Sequence, residues 1–247
     1  MIARCTNIAA ALRSRRRQRG FIINPYVFGS AGNDPNFASV QLLLHCDGSD
    51  TSTTFTDSSS AARTVTANGG AQLDTSVKKF GTASGQFTTT GDYVSIPNAA
   101  SLHPGLGDYT IEWWAYPTVG GTEKFMFVLG VNEANGFIIG CSTAEIRFRD
   151  NGATDLVATQ AINDGDHIAC VRASGQKKIF INGTQVGGNQ ASSSNVNYGV
   201  TPFELGSPTS IGAGFRFTGR IDDFRYTVGV ARYTGSFTPP AAAFPDA

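Results

Sequence analysis

The chain has 247 residues, with 19 Lys and Arg against 19 Asp and Glu, so its formal net charge at pH 7 is zero. It has no run of 18 apolar residues and no apolar stretch followed by a small-residue cleavage site near its start, which predicts neither a membrane-spanning helix nor a secretory signal. With 29 Gly, 10 Pro and only 15% charged residues, the composition favours short strands joined by turns.

Positive charge is concentrated at the N-terminus. Residues 1–20 hold six arginines and no acid, whereas acids outnumber bases in the rest of the chain. Apolar residues at Ile2, Cys5 and Leu12 recur at helical spacing, so this basic arm can include a short helix, which alone would be marginal in water. Two alternatives stay open: an anchor that docks on an acidic partner or on nucleic acid, and a solvated tail. The arginines predicted to contact a partner are Arg13, Arg15, Arg16, Arg17 and Arg19.

The arm is followed by a segment with the features of an extended docking strap. GFIINPYVFGSAGNDPNFAS (residues 20–39) places Pro and Gly turn signals around two apolar patches. Its aromatic residues Phe21, Tyr26 and Phe28 are further predicted partner contacts. The sequence therefore predicts an arm and strap over residues 1–38 and a globular domain over residues 39–247.

The rest of the chain carries regularly spaced strand signals. VQLLLHC (40–46) is a continuous apolar run typical of a strand buried on both faces. SGQFTTTGDYVSI (84–96) contains two short strands on either side of Gly91-Asp92, which predicts a hairpin. In YTIEWWAYP (109–117), Ile111, Trp113 and Ala115 alternate with Glu112, Trp114 and Tyr116, which predicts a strand that ends at Pro117. FRFTGRIDDFRYT (215–227) has the length of a long final strand. With no long amphipathic helix between them, these strands predict an all-β, antiparallel, two-sheet jelly-roll sandwich.

The clearest local signal is HIACVRASGQKKIFINGTQV (167–186). Two strand-like runs meet there, and the second ends at Asn182-Gly183. Asn-Gly suits a two-residue type I′ turn because both central residues need positive φ. Gly175 marks the earlier turn in the same way, so this span predicts consecutive antiparallel strands.

The four cysteines do not match any metal-ligand spacing. Cys46, Cys141 and Cys170 each lie in an apolar, strand-like run. This pattern predicts buried, reduced thiols that behave as small hydrophobic side chains, and a disulfide remains the alternative that geometry must decide.

The titratable residues do not form a catalytic pattern. Glu112 is an isolated acid, and the adjacent Asp222 and Asp223 are predicted to point to opposite faces of a strand, where they could not act as an acid/base pair. His45, His103 and His167 lack the neighbours of a nucleophilic triad, and a structural histidine is the expected role of His45 and His167. The sequence therefore predicts a protein that is not an enzyme.

Five segments resemble laminin-G-like (concanavalin A-like) jelly-roll domains in their order along the chain. They are LLLHCDGSDTSTTFTDSS, YVSIPNAASLHP, YTIEWWAYP, HIACVRASGQKKIFINGTQVG and FTGRIDDFRYTVGVARYTGSFTPP. FIINPYVF and the ending VARYTGSFTPPAAAFP resemble segments of such domains in tailed-phage virion proteins. Because this fold hosts lectins, adhesion modules and glycosidases alike, the resemblance implies a binding or structural module.

The resemblance also implies a candidate metal site. In such jelly rolls the first and last strands are neighbours, which would bring Asp47 close to Asp222 and Asp223 as ligands of one structural Ca²⁺, an ion that prefers several oxygen ligands. The alternative is that Asp47, Asp50 and Asp57 cap turns through bonds to the backbone. No other cofactor is expected.

Five aromatic residues are available for glycan contact. Each is also typical of cross-strand packing, and the resemblance assigns a packing role to the tryptophan. They are Trp114, Tyr116, Tyr93, Tyr198 and Tyr233.

The function predicted from the sequence is that of a phage virion structural or decoration protein. Residues 1–38 would anchor a homo-oligomer or many copies to capsid or tail proteins of a virion assembled in the host cytoplasm. The sandwich would cement the particle or contact the host surface. The alternative is a carbohydrate-binding adhesin that recognises host glycans, with or without calcium. No membrane partner is expected, and nucleic acid is expected only at the Arg arm.

Overall fold

The computed structural model describes residues 33–247 except 90, 119–123, 130–136, 143, 151–153, 198, 200 and 207–216. These residues form fifteen strands, and their helical structure is limited to two 3-10 turns at Phe37–Ser39 and Ala100–Leu102. None of the helical segments in this part of the chain has the length and apolarity needed to span a membrane.

The strands form two antiparallel sheets. Sheet A runs in the order β13-β12-β11-β6-β15-β4-β3, and β1 also pairs with β15. Sheet B runs in the order β10-β9-β8-β7-β14-β5-β2. The strands of sheet A are β1 (Val40–Leu44), β3 (Gln72–Asp74), β4 (Ser84–Phe87), β6 (Tyr109–Pro117), β11 (Asp166–Ala173), β12 (Gln176–Ile181), β13 (Thr184–Ala191) and β15 (Gly219–Val228). Those of sheet B are β2 (Thr66–Asn68), β5 (Tyr93–Ile96), β7 (Lys124–Leu129), β8 (Phe137–Cys141), β9 (Ile146–Asp150), β10 (Leu156–Ala158) and β14 (Phe203–Gly206). The predicted all-β, two-sheet sandwich is confirmed.

The hydrophobic core lies between the inner faces of the two sheets. Phe203 of sheet B packs against Phe224 and Tyr226 of sheet A, with ring centroids 6.1 and 5.9 Å apart. Alternate residues of β15 and β6 therefore point inward, and the residues between them form the outer face of sheet A. Burying a side chain the size of Phe contributes about 1.5–3 kcal/mol, so this layer stabilises the pairing of the sheets.

The central span folds as its sequence predicts. β11, β12 and β13 are consecutive antiparallel neighbours. Asn182 and Gly183 have φ of 50° and 75°, and Ser174 and Gly175 have φ of 50° and 72°. Both connections are therefore two-residue turns with positive φ at both positions.

The hairpin predicted over residues 84–96 is wrong. β4 pairs with β3 and β15 in sheet A, whereas β5 pairs with β2 and β14 in sheet B. The chain between them crosses from one sheet to the other, and the Asp92 carboxylate accepts the backbone N–H groups of Gly70, Thr88 and Thr89 at this crossing. A turn signal between two short strands does not say whether they pair.

The cysteines lie where the sequence predicts. Cys46, Cys141 and Cys170 are buried in the core. Burial raises the pKa of both the Cys46 and the Cys170 thiols, so each stays protonated at neutral pH.

Candidate functional site

A row of polar side chains crosses four adjacent strands on the outer face of sheet A. Gln72 lies opposite Gln86, Gln86 opposite Arg220, and Arg220 opposite Tyr116. Each follows or precedes a core residue, so all four point away from the core. All four are half-buried and reach solvent. We call this row the polar ladder.

Direct contacts hold the polar ladder in place. The Gln72 amide donates to Gln86 Oε1 at 3.0 Å, and the Gln86 amide donates to Asp74 Oδ2 at 2.6 Å. Arg220 donates to the same Asp74 oxygen from Nε at 2.7 Å. A chain of bonds therefore fixes Gln72, Gln86 and Arg220 before any ligand arrives, which lowers the entropy lost on binding.

A second row of hydroxyl groups lies beside the polar ladder. Thr88, Thr118 and Thr218 each lie two residues along the chain from a member of the polar ladder, namely Gln86, Tyr116 and Arg220. Thr218 Oγ1 donates to the carbonyl of Thr118 at 2.8 Å. These threonines line a cavity of about 260 Å³ together with Gln86 and Arg220. The cavity is open to solvent and is also lined by Phe87, so it offers both hydrogen-bonding and apolar surface to a ligand.

The C-terminal segment (residues 229–247) covers another part of the same face. Its Phe237 N–H donates to the Gly183 carbonyl at 2.9 Å, and the Phe237 ring lies 5.7 Å from His167 and 5.5 Å from Phe180. Its Phe244 N–H donates to Asp223 Oδ2 at 2.8 Å. The polar ladder lies outside these contacts, so the outer face has a covered part and an open part.

A buried charge network lies beneath the C-terminal segment. Arg225 contacts Glu112 at 2.7 Å and Asp34 at 3.1 Å, and Arg232 contacts Asp34 at 2.6 Å. Tyr233 donates to Glu112 Oε2 at 2.7 Å. Burial alone would raise the pKa of Glu112, but the positive charge of Arg225 beside it lowers this pKa to about 2. Glu112 is therefore a fixed structural charge, and its contacts with Arg225 and Tyr233 do not supply the second carboxyl group that acid/base catalysis of glycoside hydrolysis would need.

The three aspartates predicted to bind calcium are engaged with the protein itself. Asp47 Oδ1 accepts bonds from the Thr82 backbone and hydroxyl groups. Asp222 Oδ2 accepts the N–H groups of Lys79 and Phe80 at 2.5 and 3.1 Å. Asp223 bonds His45 Nδ1 at 2.6 Å, which gives His45 the structural role expected of it.

These contacts do not form a calcium site. β1 does pair with β15, as the resemblance implied. However, across the described residues no group of three or more His, Cys, Asp or Glu side chains is arranged to hold a metal. The contacts fit the alternative role of these aspartates, which is to accept bonds from the backbone at turns. Asp57 Oδ1, for example, accepts the N–H groups of Leu43 and Ser59, both at 3.0 Å. Calcium binding at Asp47, Asp222 and Asp223 stays a prediction that the geometry does not support.

A β-bulge changes the expected orientation of Asp222 and Asp223. The register shifts between Asp222 and Arg225, so that two residues of β15 lie where β6 has one, and Asp223 has a φ of 46°. Asp222 lies opposite Trp114 on the outer face, and Asp223 contacts the C-terminal segment on that same face. The prediction that they point to opposite faces is therefore wrong. Both are nevertheless buried, at 0% and 1% exposure.

The aromatic glycan candidates have different environments. Trp114 is buried, with Phe80 at 5.5 Å and Lys79 Nζ at 4.1 Å from its ring, and this is the packing role that the resemblance implies. Tyr233 is held by Glu112, and Tyr93 lies on β5 of sheet B. Tyr116 belongs to the polar ladder. Tyr198 lies outside the described residues.

The predicted partner contacts of the arm and strap also lie outside the described residues. They are Arg13, Arg15, Arg16, Arg17, Arg19, Phe21, Tyr26 and Phe28. Sequence reasoning missed Gln72, Gln86 and Arg220, whose signal is the alternation of polar and core residues in three separate strands. That signal alone does not show that the strands are neighbours.

Two antiparallel sheets packed as a jelly roll define the class of concanavalin A-like sandwich domains. The Laminin_G_3 family model, described as "Concanavalin A-like lectin/glucanases superfamily", matches residues 88–227, which is more than half of the chain. The chain belongs to this superfamily. No curated protein sequence matches it significantly.

Solved structures share the fold at low identity. The binding domain of Paraclostridial mosquitocidal protein 1 has 15% identity and a TM-score of 0.59, over 80% of this chain and 50% of that one. A structure described as "Cell entry of botulinum neurotoxin type C is dependent upon interaction with two ganglioside molecules" has 14% identity and a TM-score of 0.57, over 78% and 48%. Domain 4 of AbnA, a GH43 extracellular arabinanase from Geobacillus stearothermophilus, in complex with arabinotriose, has 18% identity and a TM-score of 0.57, over 78% and 94%.

Identities of this size establish the fold alone. The chain spans about half the length of the mosquitocidal and neurotoxin chains that it matches. The first of these structures is described as a binding domain, the second by an interaction with gangliosides, and the third as a complex with arabinotriose.

Proposed function

We propose that this protein is a non-enzymatic carbohydrate-binding module and that its glycan lies on the polar ladder. The observation that carries the proposal is the continuous row of amide, guanidinium and phenol groups across four strands, beside a hydroxyl-lined cavity. Sugar hydroxyls both donate and accept hydrogen bonds, and a mixed row of donors and acceptors meets both needs. The half-buried ring of Tyr116 adds an apolar surface for a sugar face.

The absence of catalysis is part of the same proposal. The carboxylate nearest to the polar ladder, Asp74, accepts bonds from Ser76 at one oxygen and from Gln86 and Arg220 at the other. A carboxylate engaged at both oxygens is poorly placed to transfer a proton, and hydrolysis of a glycosidic bond uses a pair of carboxyl groups. The ladder is therefore suited to binding.

A glycan array on the full chain, followed by calorimetry of the hits, tests this function. Tyr116→Ala should weaken binding at least about tenfold, a loss within the range measured for single interface residues. Tyr93→Ala is the matched control, because it removes a half-exposed tyrosine from sheet B. If the full chain binds no glycan on the array, the proposal is contradicted. If Tyr93→Ala alone loses binding, the site lies on sheet B.

We also propose a virion role for the basic arm, as a second and separate function. The sequence features in its support are the arginine cluster in residues 1–20 and the resemblance of FIINPYVF and VARYTGSFTPPAAAFP to phage virion segments. Residues 1–38 would attach the protein to capsid or tail proteins, and the sandwich would present its glycan site to the host surface.

Deletion of residues 1–20 tests the virion role. The truncated protein should keep the strand signal of the full chain in circular dichroism, because every strand of the described residues lies after residue 39. Its incorporation into particles should be lost. Normal incorporation of the truncated, folded protein would show that the arm is not the anchor.

A further inference from the structure

The polar ladder contains one full charge, and a neighbouring carboxylate neutralises it. Arg220 donates to Asp74 Oδ2 from Nε at 2.7 Å and approaches it from Nη2 at 2.5 Å. The Arg220 side chain is 26% exposed and that of Asp74 is 10% exposed. A ligand on the ladder therefore meets a compensated ion pair instead of an isolated positive charge.

Asp74 is a positioning residue that is held firmly in place. Its Oδ1 accepts the N–H and the hydroxyl of Ser76, at 2.7 and 2.5 Å, while its Oδ2 also accepts the Gln86 amide at 2.6 Å. With both oxygens engaged, the carboxylate cannot turn away from Arg220 when a ligand binds. The neutralisation is thus built into the site.

The geometry of Arg220 disfavours an acidic sugar. A guanidinium group recognises a carboxylate best through two parallel N–H···O bonds. Its Nε–Nη2 edge, which offers such a pair, already faces Asp74. The groups that are left for a ligand are Nη1 of Arg220, Oε1 of Gln72, the Tyr116 phenol and the Thr118 hydroxyl. The Thr88 and Thr218 hydroxyls donate to Asp92 and to the Thr118 carbonyl, so they are left as acceptors. This mixed set suits neutral hydroxyl groups.

The surroundings of the ladder add negative charge. Burial, followed by the carboxylates of Asp222 and Asp164, raises the pKa of Tyr116. At the other side of the cavity, Asp92 accepts the Thr88 hydroxyl at 3.2 Å. At the Asp222 end the Lys79 ammonium, 4.1 Å from the Trp114 ring, is a nearby cation outside the ladder. An anionic ligand would therefore meet acids at both ends of the site and find Arg220, the cation of the ladder itself, already paired.

We infer that the polar ladder takes neutral oligosaccharides and discriminates against sialylated and uronate-containing ones, an inference that rests on the proposed glycan binding. Three inter-strand spacings separate Gln72 from Tyr116, about 14 Å at the usual spacing of neighbouring strands. A platform of this width contacts an extended oligosaccharide along its length. Asp74 sets the charge preference by neutralising Arg220.

The test compares matched glycans on the full chain. Neutral oligosaccharides are printed beside the same compounds carrying a terminal sialic acid, and the affinity of each hit is measured by calorimetry. The wild-type chain should bind the neutral member of each pair at least about tenfold more tightly. Asp74→Asn leaves an amide oxygen for Arg220 but removes the charge, so the preference should fall by about tenfold or reverse.

Asp155→Asn is the matched control, because Asp155 pairs with Arg149 at 2.7 Å on the other sheet. It should leave the ratio of the two affinities unchanged. Tighter binding of the sialylated members by the wild-type chain would overturn this inference and leave the proposed function standing. An unchanged ratio in Asp74→Asn would also overturn it. If no glycan of either class binds, the proposed function and the inference fail together.

Discussion

Asp222 offers a test of the packing on the outer face of sheet A. Its side chain is buried, its Oδ2 accepts two backbone N–H groups, and its Oδ1 has no hydrogen-bond partner. Burial and then the charge of Asp223 raise the pKa of Asp222 to about 6. The ionised carboxylate is thus less stable in the folded chain than in the unfolded one.

The sign and size of the effect follow from that shift. The pKa of an unfolded aspartate is 3.8, so the folded state holds the proton more tightly between that value and about 6. Folding stability therefore falls as pH rises through this window, and above it the penalty is complete. A shift of about two pKa units at 1.36 kcal/mol per unit gives a penalty of about 3 kcal/mol.

Asp222→Asn removes the charge and keeps an oxygen that can accept the two backbone N–H groups. Urea unfolding at pH 8 should show the variant more stable than the wild type by about 1–3 kcal/mol, and the gain should vanish near pH 4. Asp164→Asn makes the same change at an exposed carboxylate and should have no comparable pH-dependent effect. A variant that is less stable than the wild type at both pH values would refute the reasoning.

Three further outcomes are expected. Glu112→Gln should destabilise the fold by about 3 kcal/mol in urea unfolding, because buried Arg225 loses one of its two carboxylate partners and keeps only Asp34. The wild-type contribution is present above pH 4.5 and is lost as pH falls towards 2. Gly183→Ala should lower the free energy of unfolding by about 2 kcal/mol or more, because its φ is 75° and an added Cβ would collide with the Phe237 carbonyl. Gly188→Ala is its control and should be nearly neutral, because the space around Gly188 is open. Addition of EGTA to the purified chain should not shift its melting temperature, and a drop of several degrees would restore the calcium site.

The fold was predictable because its signals are local. Asn182-Gly183 specifies its turn through backbone sterics alone, and the alternation of β6 is visible in YTIEWWAYP. The pairing of β4 with β15 was not predictable, because register across 130 or more intervening residues leaves no mark on either segment. This is why residues 84–96 looked like a hairpin.

The candidate site was less accessible to sequence reasoning than the fold. Tyr116 was a candidate as an aromatic residue, but Gln72, Gln86 and Arg220 are ordinary polar residues until the register places them side by side. The bulge at Asp223 gave a similar difficulty, since one extra residue reverses the face of its neighbours. Site geometry here is a property of the pairing between distant strands.

The same bulge separates two tasks along β15. Before it, Thr218 and Arg220 face solvent and belong to the open platform. After it, Arg225 and Thr227 lie within the buried network, where they bond Glu112 and Arg232. Substitutions before the bulge should therefore alter binding while changing stability little, and substitutions after it should do the reverse. Because one strand carries both parts, the buried network that holds Arg225 and Thr227 also fixes the position of Arg220 in the polar ladder.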